Sequence, residues 1–318
     1  MKTKKLGWTE LEISVLGLGT SHLNGGSWKV TYRPDEDKES IATILYALEN
    51  SINWIDTAPL YCRGHSEEIV ASAIKKYRKH PIIVTKCGRL WNENGLLYSS
   101  LKPASIRKEV EASIKRLNVE VIDLYLIHWP KPESELVEAW VTIADLVKEG
   151  KVRYGGVSNF NTQQLKKIHA HHPIAVIQQP YNMLNRDVEK EILTFCRENN
   201  IGFMAYSPLQ KGLLSGKFTG EKMKTLPTSD NRKTNPYFTE PALSKNLSFV
   251  EKLQQLSMNV GISVAQLAVS WVLKCTEVTG AIIGAKNVSQ VEELLVSEEV
   301  TLSIEVVNMI EKLIRMLG

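Results

Sequence analysis

Apolar and polar positions follow two patterns that alternate along most of the chain. Short runs such as 121–128 and 201–206 are apolar at most positions, which is typical of strands buried on both faces. Longer runs such as 103–117 repeat their apolar residues every three or four positions, which is typical of amphipathic helices. Strand and helix are therefore expected to follow each other in turn.

The predicted elements form eight strand-then-helix units. A short hairpin and a first buried strand are predicted within 11–19. Further strands are predicted at 53–56, 82–85, 121–128, 154–157, 176–178, 201–206 and 280–283, and helices at 39–50, 66–77, 103–117, 134–148, 187–199, 263–274 and 303–317. Asn161 and Ser263 begin capping-box sequences, and Ser66 and Ser289 are expected to be N-caps.

This order of elements predicts an α/β fold in which helices cover a parallel sheet. The alternatives are a (β/α)8 TIM barrel and an open doubly wound sheet, and the count of eight units favours the barrel. No linker divides the chain, so one domain over 1–318 is expected. The polar segment 209–247, after the seventh strand, is predicted to be a long loop, and loops of that length are usually functional.

Composition and charge give no support for a nucleic-acid-binding, membrane or secreted protein. The 39 Lys and Arg against 35 Asp and Glu give a net charge of +4, which offers no electrostatic basis for binding nucleic acid or a membrane surface. The N-terminus has no apolar segment of the secretory kind, and no uncharged stretch is apolar enough to span a bilayer. The four cysteines lack CxxC spacing. A cytoplasmic protein with reduced thiols is expected.

Polar residues fall where the predicted strands end. The second strand ends at Asp56, with Tyr61 soon after it, the third runs into Lys86, and the fourth ends in His128. In a TIM barrel, catalytic groups lie at these strand ends. Each residue alone has an ordinary structural explanation, as a turn former, a solvated charge or a packed side chain. Their combination at one end of three consecutive strands indicates a proton-donor site.

The chemistry expected of this set is general acid catalysis. A free tyrosine has a pKa of about 10 and is a poor acid near neutral pH. The ammonium of Lys86, held charged by Asp56, is expected to lower the pKa of Tyr61. His128 is expected to orient a carbonyl oxygen, to which Tyr61 then donates a proton.

From about Leu11 to Leu295 the sequence resembles the aldo-keto reductase superfamily, in particular its general NADPH-dependent prokaryotic members and the related potassium-channel β-subunits. The motifs that resemble it are Asp-Thr-Ala-Pro-Leu-Tyr at 56–61, Thr-Lys at 85–86, Ile-His-Trp-Pro at 127–130, Gly-Val-Ser-Asn-Phe at 156–160, Gln-Gln-Pro-Tyr-Asn-Met-Leu at 178–184, Tyr-Ser-Pro-Leu at 206–209, Leu-Leu-Ser-Gly-Lys at 213–217 and Ile-Gly-Ala-Lys at 283–286. The resemblance implies a (β/α)8 barrel that binds NAD(P)H without a Rossmann fold and reduces aldehydes or ketones. It makes Asp56, Tyr61, Lys86 and His128 the catalytic tetrad.

The resemblance also implies the coenzyme contacts. Ser158, Asn159 and Gln178 match the groups that hold the carboxamide, with Asp56 beside them, and Tyr206 matches the ring that stacks on nicotinamide. The remaining matches, which lie near the phosphates, the adenosine 2′-phosphate and the adenine, are Gly19, Thr20, Ser21, Ser207, Leu209, Gly212, Lys217, Gly284, Lys286, Gln290 and Glu293. Leu294 departs from the family pattern, since many relatives have Asn there, which removes one expected adenine hydrogen bond.

Lys286 bears on the choice of coenzyme. It precedes a helix whose expected N-cap is Ser289, and a lysine at a helix N-terminus favours a phosphate group. NADPH is therefore expected rather than NADH. No HExxH or EF-hand pattern occurs, and the histidines at 169, 171 and 172 are explained by a helix C-terminus, so no metal is expected.

Aromatic and apolar residues in the loops at the active-site end are expected to line the substrate pocket. They are Trp28, Tyr32, Leu60, Trp91 and Trp129. Tyr237 and Phe238, in the long segment, either join this pocket or pack under the segment. The expected partner is a small aldehyde or ketone.

Three other functions compete with this interpretation. Tyr98 and Lys102 have the YxxxK spacing of the catalytic pair of short-chain dehydrogenases. Those enzymes also need a GxGxxG turn after the first strand, and residues 17–22 lack its last glycine. A redox-sensing or regulatory module would keep the coenzyme site and turn over slowly. A barrel lyase or hydrolase would use Lys86 as a Schiff base.

Overall fold

The computed structural model describes residues 1–23 and 36–317, and eight of its strands close into a parallel barrel. The strands are β1 (Thr3–Lys5), β2 (Glu12–Ser14), β3 (Leu16–Gly19), β4 (Trp54–Asp56), β5 (Ile82–Cys87), β6 (Arg89–Trp91), β7 (Leu97–Ser99), β8 (Ile122–Ile127), β9 (Val152–Ser158), β10 (Val176–Pro180), β11 (Gly202–Tyr206) and β12 (Gly280–Gly284). The barrel follows chain order through β3, β4, β5 and β8 to β12, and β12 pairs with β3 to close it. The predicted (β/α)8 barrel is confirmed, and the open doubly wound sheet is excluded.

Helices connect successive barrel strands and pack around the outside. They are α1 (Asp37–Glu49), α2 (His65–Ile74), α3 (Pro103–Leu117), α4 (Leu136–Lys148), α5 (Thr162–His169), α6 (Ile192–Glu198), α7 (Gly220–Thr225), α8 (Ala242–Val260), α9 (Val264–Lys274), α10 (Val288–Leu295) and α11 (Ile304–Arg315). Their apolar faces bury a continuous core against the outward side of the strands, including Ile83, Tyr125 and Val157. The capping boxes predicted at Asn161 and Ser263 are confirmed.

The N-terminal hairpin β1–β2 packs against the core of the barrel interior. Leu6, Leu11 and Ile13 bury their side chains in one cluster with Trp54 and the inward residues of the barrel strands. The Trp54 indole Nε1 donates to the Ser14 carbonyl oxygen at 2.8 Å. The hairpin therefore belongs to the interior packing of the barrel, at the end opposite the one where the strands finish and the predicted catalytic residues lie.

Three local predictions need correction. Residues 209–247 do not form one irregular loop, since the segment contains 3₁₀ turns and α7, and α8 begins at Ala242. The helix predicted at 187–199 is split into a 3₁₀ turn, Asp187–Glu189, and α6. Ser66 does not cap α2, because the left-handed turn at Gly64, with φ of 94°, starts that helix one residue earlier.

Among the described residues, no single helix is long and apolar enough to cross a membrane. The bent pair α8 and α9, 88° apart, meets that length and composition only when both helices are counted together.

Candidate active site

Side-chain alternation places the predicted tetrad at one end of the barrel interior. Neighbouring residues of a strand point to opposite faces, so residues two apart share a face. On five strands, an apolar side chain that packs in the barrel interior is therefore followed two residues later by a polar side chain at the strand end. The pairs are Trp54 and Asp56, Val84 and Lys86, Leu126 and His128, Val176 and Gln178, and Met204 and Tyr206. The barrel itself brings these five polar side chains to the same rim.

Lys86 and Asp56 form a buried ion pair. The Lys86 Nζ donates to Asp56 Oδ1 at 2.7 Å, to Asp56 Oδ2 at 2.8 Å and to the Thr57 carbonyl oxygen at 2.9 Å. An ammonium has three donors, and all three are used here. Burial lowers the pKa of Lys86, while the Asp56 carboxylate opposes that change. The expected Asp56–Lys86 pairing is confirmed.

Further hydrogen bonds fix Asp56 in this position. The Gln178 side-chain amide donates to Asp56 Oδ1 at 2.7 Å across the barrel. The Thr20 backbone N–H donates to the Asp56 carbonyl oxygen at 2.9 Å, and the Thr20 hydroxyl donates to the Thr57 hydroxyl at 2.9 Å. Gln178, assigned to the carboxamide from the resemblance, thus has a partner within the protein as well. The Asp56 carboxylate, bound by both Lys86 and Gln178, holds the ammonium in one geometry.

Tyr61 lies on a tight turn directly above this pair. Its side chain is buried, and Lys86 Nζ is 5.3 Å from the centre of its ring. The His128 ring meets it edge-on, with centroids 6.0 Å apart and an interplanar angle of 85°. The structure therefore brings Asp56, Tyr61, Lys86 and His128 into one buried cluster, as the strand ends predicted.

The structure does not show the expected lowering of the Tyr61 pKa. Burial raises the pKa of Tyr61 well above its usual value, and the charge of Asp56 adds to the rise. Lys86 does not reverse this, because Asp56 neutralises the ammonium and takes two of its three donors. The phenol accordingly stays protonated at neutral pH, which is the form that a proton donor needs.

His128 is a neutral imidazole at this rim. Its pKa is lowered well below the usual value by burial and by the positive charges of Lys86 and Arg89. A neutral imidazole has one N–H donor. His128 is therefore able to donate a hydrogen bond to a carbonyl oxygen without carrying charge into the pocket.

Asn159 joins three strand ends. Its side-chain amide donates to the His128 carbonyl oxygen at 2.9 Å and to Ser158 Oγ at 3.0 Å, and its own oxygen accepts from the Tyr206 hydroxyl at 2.8 Å. Asn159 adopts the left-handed conformation with φ of 66°, which asparagine tolerates better than most residues. These bonds hold the half-buried Tyr206 ring at the end of β11.

Several positively charged side chains lie near His22, where β3 and β12 end. The crowded surroundings of His22, together with Lys286, Arg232 and Lys211, lower the pKa of its imidazole to about 4. His22 lies beside Gly284, since a Cβ added there would be 3.4 Å from its Nδ1. Such a cluster of cations fits the phosphates of a dinucleotide.

The residues that follow β11 and β12 leave room for such a ligand. Gly212 has φ of 91°, and a Cβ there would meet no atom within 4 Å. Exposed Lys217 pairs with Glu293 at 2.7 Å. The Lys286 backbone N–H donates to Gln290 Oε1 at 2.9 Å.

One expectation at this end is corrected, and the departure at Leu294 has a packing role. The N-cap of α10 is Asn287, whose side chain accepts from the Gln290 backbone N–H at 3.1 Å, so the predicted cap at Ser289 is wrong by two residues. The correction places Lys286 next to the cap. Leu294 is buried in the core between helices and strands. Its apolar side chain therefore contributes packing where the family pattern has an amide.

Three of the residues predicted to line the substrate pocket lie near Tyr61 or His128. Ala58, Leu60 and Tyr61 form one buried cluster, and Trp91 packs against it while its indole donates to the Leu60 carbonyl oxygen at 3.0 Å. Trp129 is half-buried next to His128. Trp28 and Tyr32 lie outside the described residues.

Tyr237 and Phe238 belong to the packing of the long segment. Phe238 is buried with Leu213, Phe218 and Leu243, and Tyr237 packs against the same cluster. The Phe218 and Phe238 rings meet edge-on with centroids 5.1 Å apart. Of the two alternatives for these residues, the structure therefore favours packing.

Several residues of the site were not predicted. Thr57 contributes a backbone carbonyl, which leaves no signal in side-chain type. Arg232 and Lys211 come from the long segment, whose path over the rim depends on tertiary packing. Arg89 follows Lys86 by three residues, so its position after a barrel strand was a usable signal.

Known proteins are similar to this chain over nearly its whole length. The Aldo/keto reductase family model matches residues 15–315. An aldo-keto reductase of Bacillus subtilis, YhdN, is 40% identical over 289 residues, which cover 90% of this chain and 85% of that protein. The NADH-specific methylglyoxal reductase of Escherichia coli is 34% identical over 317 residues, covering 95% of each protein.

A solved structure agrees with the sequence relatives. The glycerol dehydrogenase AKR11B4 from Gluconobacter oxydans is similar with a TM-score of 0.90 at 35% identity, over 99% of this chain and 95% of that one. The barrel of this chain and its buried tetrad cluster agree with these matches. The chain therefore belongs to the aldo/keto reductase family, whose members are oxidoreductases that act on carbonyl groups.

Proposed function

We propose that this protein is an NADPH-dependent reductase that converts aldehydes or ketones to alcohols, with Tyr61 as the general acid. The observation that carries the proposal is the buried cluster itself. Tyr61 and His128 face each other at 6.0 Å above a Lys86 ammonium whose three donors are all used. The cluster holds a protonated phenol beside a neutral imidazole, and both side chains are buried.

A reduced nicotinamide dinucleotide, when bound, supplies the hydride that reduces the carbonyl carbon. Tyr61 donates its hydroxyl proton to the carbonyl oxygen, and His128 donates a hydrogen bond to the same oxygen. The Lys86 ammonium lies 5.3 Å from the centre of the Tyr61 ring, where its positive charge would partly offset the negative charge left on the phenol oxygen after proton transfer. Asp56 holds that ammonium in position. One hydride and one proton added across the carbonyl give the alcohol.

Lys86 is poorly suited to Schiff-base chemistry. A nucleophilic lysine has to be a free neutral amine. Here the Lys86 amine is bound by Asp56 and Thr57 and is fully buried. This arrangement supports a role in positioning and electrostatics and weighs against the lyase or hydrolase alternative.

The preference for NADPH rests on the cations around His22. Lys286 and Lys211 would face the extra phosphate that distinguishes NADPH from NADH, and Arg232 lies in the same cluster while pairing with Asp230 at 2.7 Å. The Escherichia coli relative is named as NADH-specific, so NADH has a precedent among similar proteins. We assign residues Gly19, Thr20, Ser21, Ser158, Tyr206, Ser207 and Leu209 to the rest of the coenzyme cradle, since they lie on the strand ends and turns of this rim.

Initial rates with a panel of aldehydes, ketones and sugars, each measured with NADPH and with NADH, test the proposal. We expect reduction of at least one carbonyl class, with a specificity constant for NADPH at least about tenfold above that for NADH. Equal constants would overturn the coenzyme assignment. Tight NADPH binding without turnover of any carbonyl would replace the reductase by the regulatory alternative.

A further inference from the structure

The ribbon formed by β6 and β7 covers the tetrad. Trp91 of β6 pairs with Leu97 of β7, and both pack against the buried cluster of Ala58, Leu60 and Tyr61. One face of the ribbon therefore packs against the cluster that contains Tyr61.

Arg89 lies on this same face. It is two residues before Trp91, and residues two apart in a strand share a face. Its cross-strand neighbour is Ser99, to whose Oγ the Arg89 Nη1 donates at 2.8 Å. The chain reaches Arg89 through the left-handed turn at Gly88, directly after Cys87, whose carbonyl oxygen accepts from the His128 backbone N–H at 3.0 Å. Arg89 is thus held close to His128, and its charge contributes to the lowered pKa of that imidazole.

Arg63 lies over the Trp91 ring. It follows Tyr61 by two residues and adopts the left-handed conformation with φ of 56°. Its Cζ lies 5.5 Å from the centre of the Trp91 ring, a cation–π distance. A Cβ added to Gly95, in the turn of the ribbon, would lie 2.5 Å from Arg63 Nη2. The ring and the turn together fix this exposed guanidinium at the mouth of the pocket.

Within residues 1–23 and 36–317, neither arginine forms an ion pair with a carboxylate. Arginines elsewhere in the fold do, as seen for Arg107, Arg116, Arg153, Arg186, Arg197 and Arg232. The Arg89 Nε is also buried and has no hydrogen-bond partner in the described part of the chain. A buried donor without an acceptor costs free energy, and an anionic ligand would remove that cost.

We propose that Arg89 and Arg63 select carbonyl substrates that carry a carboxylate, which Arg89 binds while the aldehyde or ketone carbon lies at Tyr61 and His128. This inference rests on the proposed carbonyl reduction. The guanidinium matches a carboxylate in shape and offers two parallel donors. Trp91, between the two arginines, packs against the apolar part that joins the carboxylate to the carbonyl.

Two para-substituted benzaldehydes of similar size test this inference: 4-carboxybenzaldehyde, which is anionic at pH 7, and its neutral methyl ester. Specificity constants for both are measured with the preferred coenzyme in the wild type and in Arg89→Gln, Arg89→Lys and Arg63→Gln. Arg107→Gln, on the outer helix α3, is the matched control. Each protein is also assayed in 0.5 M NaCl, where screening weakens exposed charge interactions.

We expect the wild type to favour the acid over the ester by at least about tenfold. Arg89→Gln removes that preference, Arg89→Lys retains part of it, Arg63→Gln and salt reduce it, and Arg107→Gln leaves it unchanged. Ester reduction by the same preparation shows that each variant is folded, and Arg63→Gln, at an exposed position, repeats the test if Arg89→Gln does not fold.

Equal use of acid and ester by the wild type, or an unchanged preference in both Arg89→Gln and Arg63→Gln, would overturn the inference and leave carbonyl reduction standing. Absence of reduction of both aldehydes and of the whole carbonyl panel with either coenzyme would overturn the proposed function, and the inference with it.

Discussion

At the scale of single residues, identity was easier to predict than electrostatics. Asp56, Tyr61, Lys86 and His128 are recognisable because polar residues end apolar strands. The sign of the Tyr61 pKa shift is not in the sequence, because it depends on how deeply the barrel buries the phenol and on which groups occupy the donors of Lys86. Hydrogen bonds made by backbone carbonyls, such as that of Thr57, are likewise set only by the fold.

We expect Glu109 to make the free energy of unfolding of the protein depend on pH. It is buried on α3 and accepts from the Gly88 backbone N–H at 2.9 Å, yet burial raises its pKa to about 7. A carboxyl group whose pKa is raised in the folded state favours folding below its unfolded pKa. That contribution is lost as the pH rises through 7.

Glu109→Gln keeps an acceptor for Gly88 and removes the charge. We expect it to match the wild type below about pH 4.5, and to be more stable at pH 8 by up to about 3 kcal/mol. Urea unfolding from pH 4 to 8 measures this. Glu111→Gln, at an exposed position of the same helix, serves as the control. A constant difference between Glu109→Gln and wild type across this range would refute the assignment.

At the scale of secondary structure, periodicity predicted most strands and helices, and the misses have physical causes. α8 was missed because its buried face includes Asn246 and Ser257 among apolar residues, which weakens the apolar stripe. Its apolar positions at Leu243, Val250 and Leu253 still follow helical spacing and were a usable signal. The caps at Ser66 and Ser289 were wrong because a left-handed Gly64 and an asparagine took those roles.

Strand β3 depends on glycine for a packing reason. A Cβ at Gly17 would lie 2.1 Å from the Trp54 ring, which is buried in the barrel interior. Gly17→Ala is therefore expected to destabilise the fold by about 3 kcal/mol or more, as overpacked cores do. Gly220→Ala, where the nearest atom is 3.9 Å away at the start of α7, is the control. Equal unfolding free energies in urea for the two variants would contradict this packing.

At the scale of the whole molecule, the barrel gathers groups that are far apart in the sequence. The cations around His22 come from the end of β12 and from the segment after β11, and the tetrad comes from three strands and one turn. The repeat of strand and helix was enough to predict this common rim. It was not enough to predict which residues of the long segment reach it, since the path of that segment follows from packing among Leu213, Phe218 and Phe238.

Coenzyme binding tests how this rim works as a unit. A ligand at a hundred times its Kd stabilises the folded state by about 2.7 kcal/mol, so NADPH is expected to raise the melting temperature more than NADH at equal concentration. Lys286→Glu should abolish that difference. Lys115→Glu, which makes the same charge change at an exposed position of α3, should preserve it. A difference that persists in Lys286→Glu would remove Lys286 from the phosphate site.

The most direct test of the proposed chemistry is Tyr61→Phe, which removes only the hydroxyl. We expect kcat for carbonyl reduction to fall at least about a hundredfold, the usual contribution of a general acid, while the coenzyme Kd changes by less than about twofold. Tyr98→Phe, at the exposed tyrosine of the ribbon, should behave as wild type. An unchanged kcat in Tyr61→Phe, or a loss of coenzyme binding together with activity, would contradict the assignment of Tyr61 as the proton donor.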